Sequence, residues 1–350
     1  MPDMSLDLAR TRRETPTCEA QTFLDSAGSA LSPTIVNETL IAHLKLEQEV
    51  GGYVAAAQVL PGITDATATV GALVGAAPHQ IAWQPSATAA WNRAISSIPF
   101  RDGDRVLTTS AEYASNVIPL LQAHKKVGLE IDVIPDGPDG AADPIAFDAM
   151  LDDRVRAVAI THAPSQNGLL VDAQAFGDVL RARNSNAWFL LDACQSVGQM
   201  PIEMGSIGAD FVSATGRKWI RGPRGTGFLA VSDRALGELE PDPMDMCGAM
   251  WLGGTDYQPV ENATRFQSFE MSIAGLLGLG AAAAYALELG LDQIRNRVSE
   301  LASGLREDLD RIAGVRVLDR GSERTGIVTF AVPGDNAFVA ANELRASGVT

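Results

Sequence analysis

The middle of the chain alternates short apolar runs with amphipathic stretches, and that alternation limits the possible folds more than any other feature. Residues 105–109, 129–134, 155–160, 187–191, 210–214 and 227–231 are too short and too evenly apolar for helices. They read as strands buried on both faces. Residues 115–126 and 172–183 read as helices between them, the second opened by Asp172 as a plausible N-cap. Strands alternating with helices predict an α/β fold with a mostly parallel, seven-stranded-type sheet between helices.

Past residue 233 the pattern changes. A Met/Gly/Pro-rich stretch at 241–259 reads as a loop, followed by long helices over 268–313, strands at 315–318 and 327–332, and a helix at 337–346. This predicts an N-terminal arm (1–20), a large domain (21–265, with an interface loop at 241–260), and a connecting helix with a smaller α+β domain (266–350). The last helix stops at Gly348, where a further strand is expected, so the small domain reads as incomplete at its C-terminus.

Composition removes several functional classes. The 27 Lys+Arg against 43 Asp+Glu give a net charge of −16, which repels phosphate backbones and argues against nucleic acid as a partner. An apolar fraction of 46% excludes a disordered chain. Cys18, Cys194 and Cys247 show no paired spacing, and His43, His79, His124 and His162 show no metal-ligand spacing. No metal and no disulfide framework is expected, and a reducing cytoplasm fits. The opening residues lack the apolar segment of a secretory signal. The run 273–290 approaches membrane-spanning length, but it contains Glu288 and is rich in Ala and Gly. It reads as a helix buried against another helix or subunit, with no membrane as partner.

In an open parallel sheet, ligands gather at the carboxyl ends of the strands. The polar residues predicted there are Glu112 and Tyr113, Thr161 and His162, Asp192, and 215–218. Asp192 ends a buried strand, where a carboxylate needs compensation. It suits a helix cap or a partner for a protonated heterocyclic nitrogen. Lys218 stands among Arg217, Arg221 and Arg224, as a basic surface loop would, or as an amine that forms a Schiff base with a carbonyl cofactor. Ser86, Ala87 and Thr88 open a helix, which suits a plain cap or a phosphate site. Tyr113 suits core packing or stacking on a planar ring. Neither a Walker A loop nor a dinucleotide fingerprint is present: Trp219 follows the lysine, and Gly222, Gly225 and Gly227 have the wrong spacing.

Together, Asp192-x-x-Gln195 followed by Thr215-Gly-Arg-Lys218, with the contexts EYASN, THAPSQNG and GGY, resembles the class V aminotransferases of the fold-type I pyridoxal-phosphate-dependent enzymes. That group includes cysteine desulfurases, isopenicillin N epimerase-like proteins and hercynylcysteine sulfoxide lyases. The resemblance runs from about residue 23 to the end. It implies pyridoxal 5′-phosphate as cofactor, joined to Lys218 as an internal aldimine, with Lys218 then moving protons at the substrate α-carbon. It implies Asp192 on the pyridinium nitrogen, Gln195 with Ser165 on the phenolate oxygen, and Tyr113 on the ring face. Ser86, Ala87, Thr88, Thr215 and Arg217 would hold the phosphate. It also implies a homodimer with sites at the interface, where Thr255 would reach the partner's phosphate.

The chain departs from the desulfurase pattern. Arg217 stands where a histidine precedes the lysine, Tyr113 stands where a histidine stacks, and no cysteine follows Cys247. Cys194 reads as packing. A persulfide-forming desulfurase is therefore disfavoured, and the family's substrate-carboxylate arginine would fall beyond Thr350. The expectation is a lyase of the C–S β-eliminating type acting on a small-molecule amino-acid substrate. The alternatives are an aminotransferase or epimerase on the same scaffold, a non-catalytic cofactor-binding protein, and a nicotinamide-dependent enzyme, the last disfavoured by the missing fingerprint.

Overall fold

The computed structural model describes residues 6–334 and 336–350; the first five residues of the predicted arm lie outside the described residues. Seven strands form one sheet: β1 (Ile81–Gln84), β2 (Arg105–Thr108), β3 (Glu130–Val133), β4 (Val155–Thr161), β5 (Trp188–Asp192), β6 (Phe211–Thr215) and β7 (Gly227–Val231). Their order is β1-β7-β6-β5-β4-β2-β3. The pairs β2–β3, β2–β4, β4–β5 and β5–β6 are parallel, as the alternation predicts. Strand β7 runs antiparallel to both β6 and β1, so β1 points the same way as β6. The carboxyl ends of β1, β6, β5 and β4 therefore share one edge of the sheet.

The central strands are apolar because both faces are covered. Every residue of β5, β6 and β7 is buried. One apolar cluster, with Phe147, Phe176, Phe189 and Phe228, packs on one side of the sheet, and a second, with Trp91, Trp188, Phe211 and Phe266, packs on the other. Local signals set the helix limits. Asp172 caps the helix Ala173–Ala182 by accepting from the Ala175 N–H at 3.0 Å. The helix Ala114–Val127 ends where Gly128 turns to φ 77°, and the Gly128 N–H donates to the His124 carbonyl.

The long apolar run forms the helix Ile273–Leu289, packed against the helices Thr34–Val50 and Leu60–Ala72. Its glycines permit close approach: a Cβ at Gly280 would stand 2.3 Å from that of Ala66. Among the described residues no single helix is long and apolar enough to cross a membrane; this helix and its successor Leu291–Asp310, bent by 80°, meet that measure only as a pair.

Two local expectations need correction. Within the expected loop at 241–259, β8 (Ala249–Gly253) and β9 (Asp256–Pro259) form an antiparallel hairpin. The expected strand at 327–332 is paired only at Phe330–Ala331, with Arg316–Val317. The carbonyls of Thr325 and Ile327 accept from the buried Arg306 guanidinium, which takes acceptors a sheet partner would need. At the other end, Thr22 and Leu24 exchange backbone hydrogen bonds with 348–350.

Candidate active site

The shared sheet edge holds a cleft. Ser86, Ala87, Thr88, Tyr113, Ser165, Asp192, Gln195, Thr215, Arg217 and Lys218 all line it. These are ten residues from five separate segments, and of the residues that the resemblance places around the cofactor only Thr255 is not among them. Thr255 lies outside, in the exposed turn between β8 and β9.

Asp192 is the last residue of β5 and only 5% exposed. Its Oδ2 accepts from Asn116 Nδ2 at 2.7 Å, and its Oδ1 from the Cys194 N–H at 2.9 Å. Burial pushes its carboxyl above the ordinary range, while these donors and the Lys218 ammonium pull the other way. Lys218 sits in the loop joining β6 to β7 and is 7% exposed. Its Nζ lies 6.0 Å from the centroid of the Tyr113 ring, which follows β2 at the start of the helix Ala114–Val127.

Gln195 lies between two anchors. Its Oε1 accepts from Trp219 Nε1 at 2.9 Å, which turns its Nε2 toward Ser165 Oγ at 3.3 Å and the Ala27 carbonyl at 3.1 Å. Across the cleft, the helix Ala87–Ser97 starts directly after β1. Ser86 Oγ caps it by accepting from the Ala89 N–H. Ser86 is thus a helix cap, and the same residue lines the cleft. Thr215 Oγ1 donates to the Thr226 carbonyl at 3.2 Å, so its hydroxyl is already engaged.

Four more residues line the cleft: Asn116, Thr161, Ala163 and Cys194. Asn116 lies in the first turn of the helix Ala114–Val127, three residues after Tyr113. Trp219 served only to exclude a Walker loop, yet it orients Gln195. His162, expected at the same rim, instead borders a separate groove with Glu203 and Arg295. Its Nδ1 meets Ser196 Oγ at 2.9 Å, and burial lowers its pKa to about 4, so it is neutral. Cys194 is free, and burial together with the Asp192 charge holds its thiol up at about 11.

The residues present fit pyridoxal 5′-phosphate. A buried amine and a buried carboxylate in one cleft, with an aromatic ring and a helix start beside them, are the donor set that a charged pyridine aldehyde with a phosphate arm requires. The Ser86 end of the cleft is also shaped by glycine. A Cβ at Gly227 would stand 2.5 Å from the Ala214 carbonyl oxygen, 3.0 Å from Ser86 C and 3.3 Å from Ala87 N, so only glycine lets β7 approach the turn that carries Ser86 and Ala87.

Comparison with known proteins agrees. The sequence profile of the family Aminotransferase class-V matches residues 22–350. A probable cysteine desulfurase of Methanothermobacter thermautotrophicus is 27% identical over 324 residues, covering 92% of this chain and 80% of the relative. A probable cysteine desulfurase 2 of Mycobacterium leprae is 29% identical over 348 residues, covering 93% and 80%. Among solved structures, apo cysteine desulfurase from Thermococcus onnurineus superposes with a TM-score of 0.87 at 22% identity, covering 100% of this chain and 88% of that one. A cystine C–S lyase in complex with its reaction product cysteine persulfide gives 0.87 at 20% identity, covering 96% and 90%. At these identities the two structures establish the fold, and the profile establishes the lineage: the chain belongs to the class-V aminotransferase family of pyridoxal-phosphate-dependent enzymes.

Proposed function

We propose that this chain is a lyase that cleaves the carbon–sulfur bond of a cysteine-type amino acid by β-elimination. The observation that carries the reading is the pair Lys218 and Asp192, both buried and both lining one cleft. Relatives named cysteine desulfurase and a neighbour that is a cystine C–S lyase support the sulfur substrate.

Bound pyridoxal phosphate supplies an electron sink that makes the substrate α-C–H acidic. Lys218 would hold the cofactor through its amine by a Schiff base and then take the α-proton as general base. The electron pair of the α-C–H bond forms the α,β double bond, and the C–S bond breaks with its electrons on sulfur. The product hydrolyses to pyruvate and ammonia. Asp192 would face the ring nitrogen and hold its proton. Gln195, its amide turned by Trp219, would donate to the ring oxygen beside Ser165. Tyr113 would cover one ring face. Ser86, Ala87 and Thr88, with Thr215 and Arg217, would hold the phosphate.

Cys194 has no nucleophilic part in this scheme. It is the one cysteine lining the cleft, and a thiol held at about 11 stays protonated near neutral pH. Sulfur therefore leaves with the substrate fragment rather than on the enzyme. The working form we infer is a cytoplasmic homodimer. Met246, Met250, Trp251 and Leu252, in and beside the β8–β9 hairpin, are exposed apolar side chains suited to a subunit contact, through which Thr255 would reach the partner's phosphate.

A single-turnover assay of the loaded protein with cystine tests the chemistry. Pyruvate and ammonia in equal amounts, with a persulfide, are expected. Accumulation of the pyridoxamine form without pyruvate would make the protein an aminotransferase instead.

A further inference from the structure

Behind the cleft wall lies a second carboxylate that does not line it. Glu112 follows β2, and its Oε2 accepts from Thr161 Oγ1 at 2.6 Å. Its Oε1 accepts from the Thr161 N–H at 2.8 Å and from Thr109 Oγ1 at 2.9 Å. Thr161, the last residue of β4, is buried, and its Oγ1 lies 3.2 Å from Asn116 Nδ2. Asn116 Nδ2 is in turn 2.7 Å from Asp192 Oδ2. Two carboxylates on different strand ends are thus joined by three hydrogen bonds through Thr161 and Asn116.

With Glu112 ionised, counting hydrogens fixes the direction of every bond. The Asn116 amide nitrogen has two, one for Asp192 and one for Thr161. Thr161 Oγ1 accepts from Asn116 only while its own hydrogen points away, and Glu112 Oε2 is where it points. An acceptor at that oxygen is therefore what orients the Asn116 amide. The base of the helix that carries Asn116 is also fixed: Trp91 Nε1 donates to the Asn116 carbonyl, and the Asn116 N–H donates to the Tyr113 carbonyl.

We propose that Glu112 is a positioning residue: through the Thr161 hydroxyl and the Asn116 amide it holds the Asp192 carboxylate in place to keep the cofactor's ring nitrogen protonated. This rests on the reading that Asp192 faces that nitrogen. The groups facing Glu112 are Thr109, Thr161 and, at longer range, Asp192. Those facing Asp192 are Asn116, Cys194, Ser213 and Lys218. Burial and the Asp192 charge raise the Glu112 carboxyl, so three donors are needed to keep it an acceptor.

Glu112→Gln breaks the count. The Thr161 N–H cannot turn, so the new amide oxygen must take that side. The new NH₂ then faces Thr161 Oγ1, so the Thr161 hydrogen loses its acceptor and the hydroxyl that receives Asn116 is no longer held in one orientation. Thr161→Val removes the link while leaving Glu112, and Thr161→Ser keeps the hydroxyl.

The test is ¹⁵N NMR of the holoenzyme loaded with ring-¹⁵N pyridoxal phosphate, alongside cofactor affinity measured by tryptophan quenching. The ring nitrogen of the parent is expected at its protonated shift. In Glu112→Gln and in Thr161→Val it moves toward the unprotonated shift, and the cofactor binds roughly three- to tenfold more weakly, the scale of one lost hydrogen bond. Combining the two substitutions adds little, because they cut one chain. Thr161→Ser retains the parental shift. A merely structural Glu112 would lower the melting temperature and leave the ¹⁵N shift alone, and that result overturns the proposal. Should Glu112→Gln not fold, an unchanged shift in Thr161→Val overturns it equally. An unprotonated ring nitrogen in the parent itself would instead sink the Asp192 reading on which it stands.

Discussion

Trp219 Nε1 donates to Gln195 Oε1 at 2.9 Å, and this one bond decides which end of the Gln195 amide enters the cleft. The indole nitrogen is only a donor, so it must meet the amide oxygen, and the NH₂ is left on the Ser165 side. The residue next to the candidate lysine in sequence thereby orients the amide that we propose meets the cofactor. Trp219→Phe keeps most of the ring and frees the amide to flip. Cofactor affinity is expected to fall about fivefold, equivalent to about 1 kcal/mol for a neutral hydrogen bond, with folding retained. Equilibrium titration of apo-protein with pyridoxal phosphate measures it, and an unchanged affinity would remove Trp219 from the site.

Cys194→Ala is expected to retain most of the turnover, because a thiol at about 11 supplies almost no thiolate near neutral pH. Iodoacetamide should label Cys194 slowly in the folded protein. A loss of more than about a hundredfold in kcat, or a persulfide mapped to Cys194 by mass spectrometry, would mean that sulfur passes through the enzyme.

His162 gives the fold a pH-dependent weakness. Its pKa falls from 6.5 unfolded to about 4 folded, because burial beside Ser196 excludes the charged ring. Between those values the unfolded chain binds the extra proton, so this contribution to stability is present above about pH 6.5 and is lost as the pH drops toward 4. The full loss is about 3 kcal/mol. Asp192 and Glu112 act in the opposite sense. Their raised folded values mean that their contribution falls as pH rises through the carboxylate range. Denaturant unfolding of parent and His162→Gln at several pH values separates the effects. The difference between the two proteins should shrink as pH falls from 6.5 to 4, and a constant difference would contradict a neutral buried histidine.

Much of this was legible in the sequence because strand ends are marked twice. An apolar run such as Trp188–Asp192 announces a buried strand, and a carboxylate at its end announces the edge where ligands collect. That logic locates Asp192, Thr215, Lys218 and Tyr113. For His162 it leaves a rim role and a satisfied structural role open, and the contact with Ser196 favours the second, with Thr161 on the cleft side. Glu112 is marked as a strand-end residue but its links are not, and Asn116 and Trp219 carry no such mark. Their importance lies in hydrogen bonds to residues 24 to 76 positions away, which no local pattern encodes. The β8–β9 hairpin was hidden for a different reason: its strands bury little, so they lack the apolar alternation by which strands are recognised.

Covalent attachment at residue 218 tests the whole account most directly. The loaded protein is reduced with borohydride, digested and mapped by mass spectrometry. One pyridoxyl-phosphate adduct on Lys218 is predicted, and Lys218→Ala should carry none and lose α-proton exchange. An adduct on another lysine, or an alanine variant that still exchanges the α-proton at the parental rate, would contradict it.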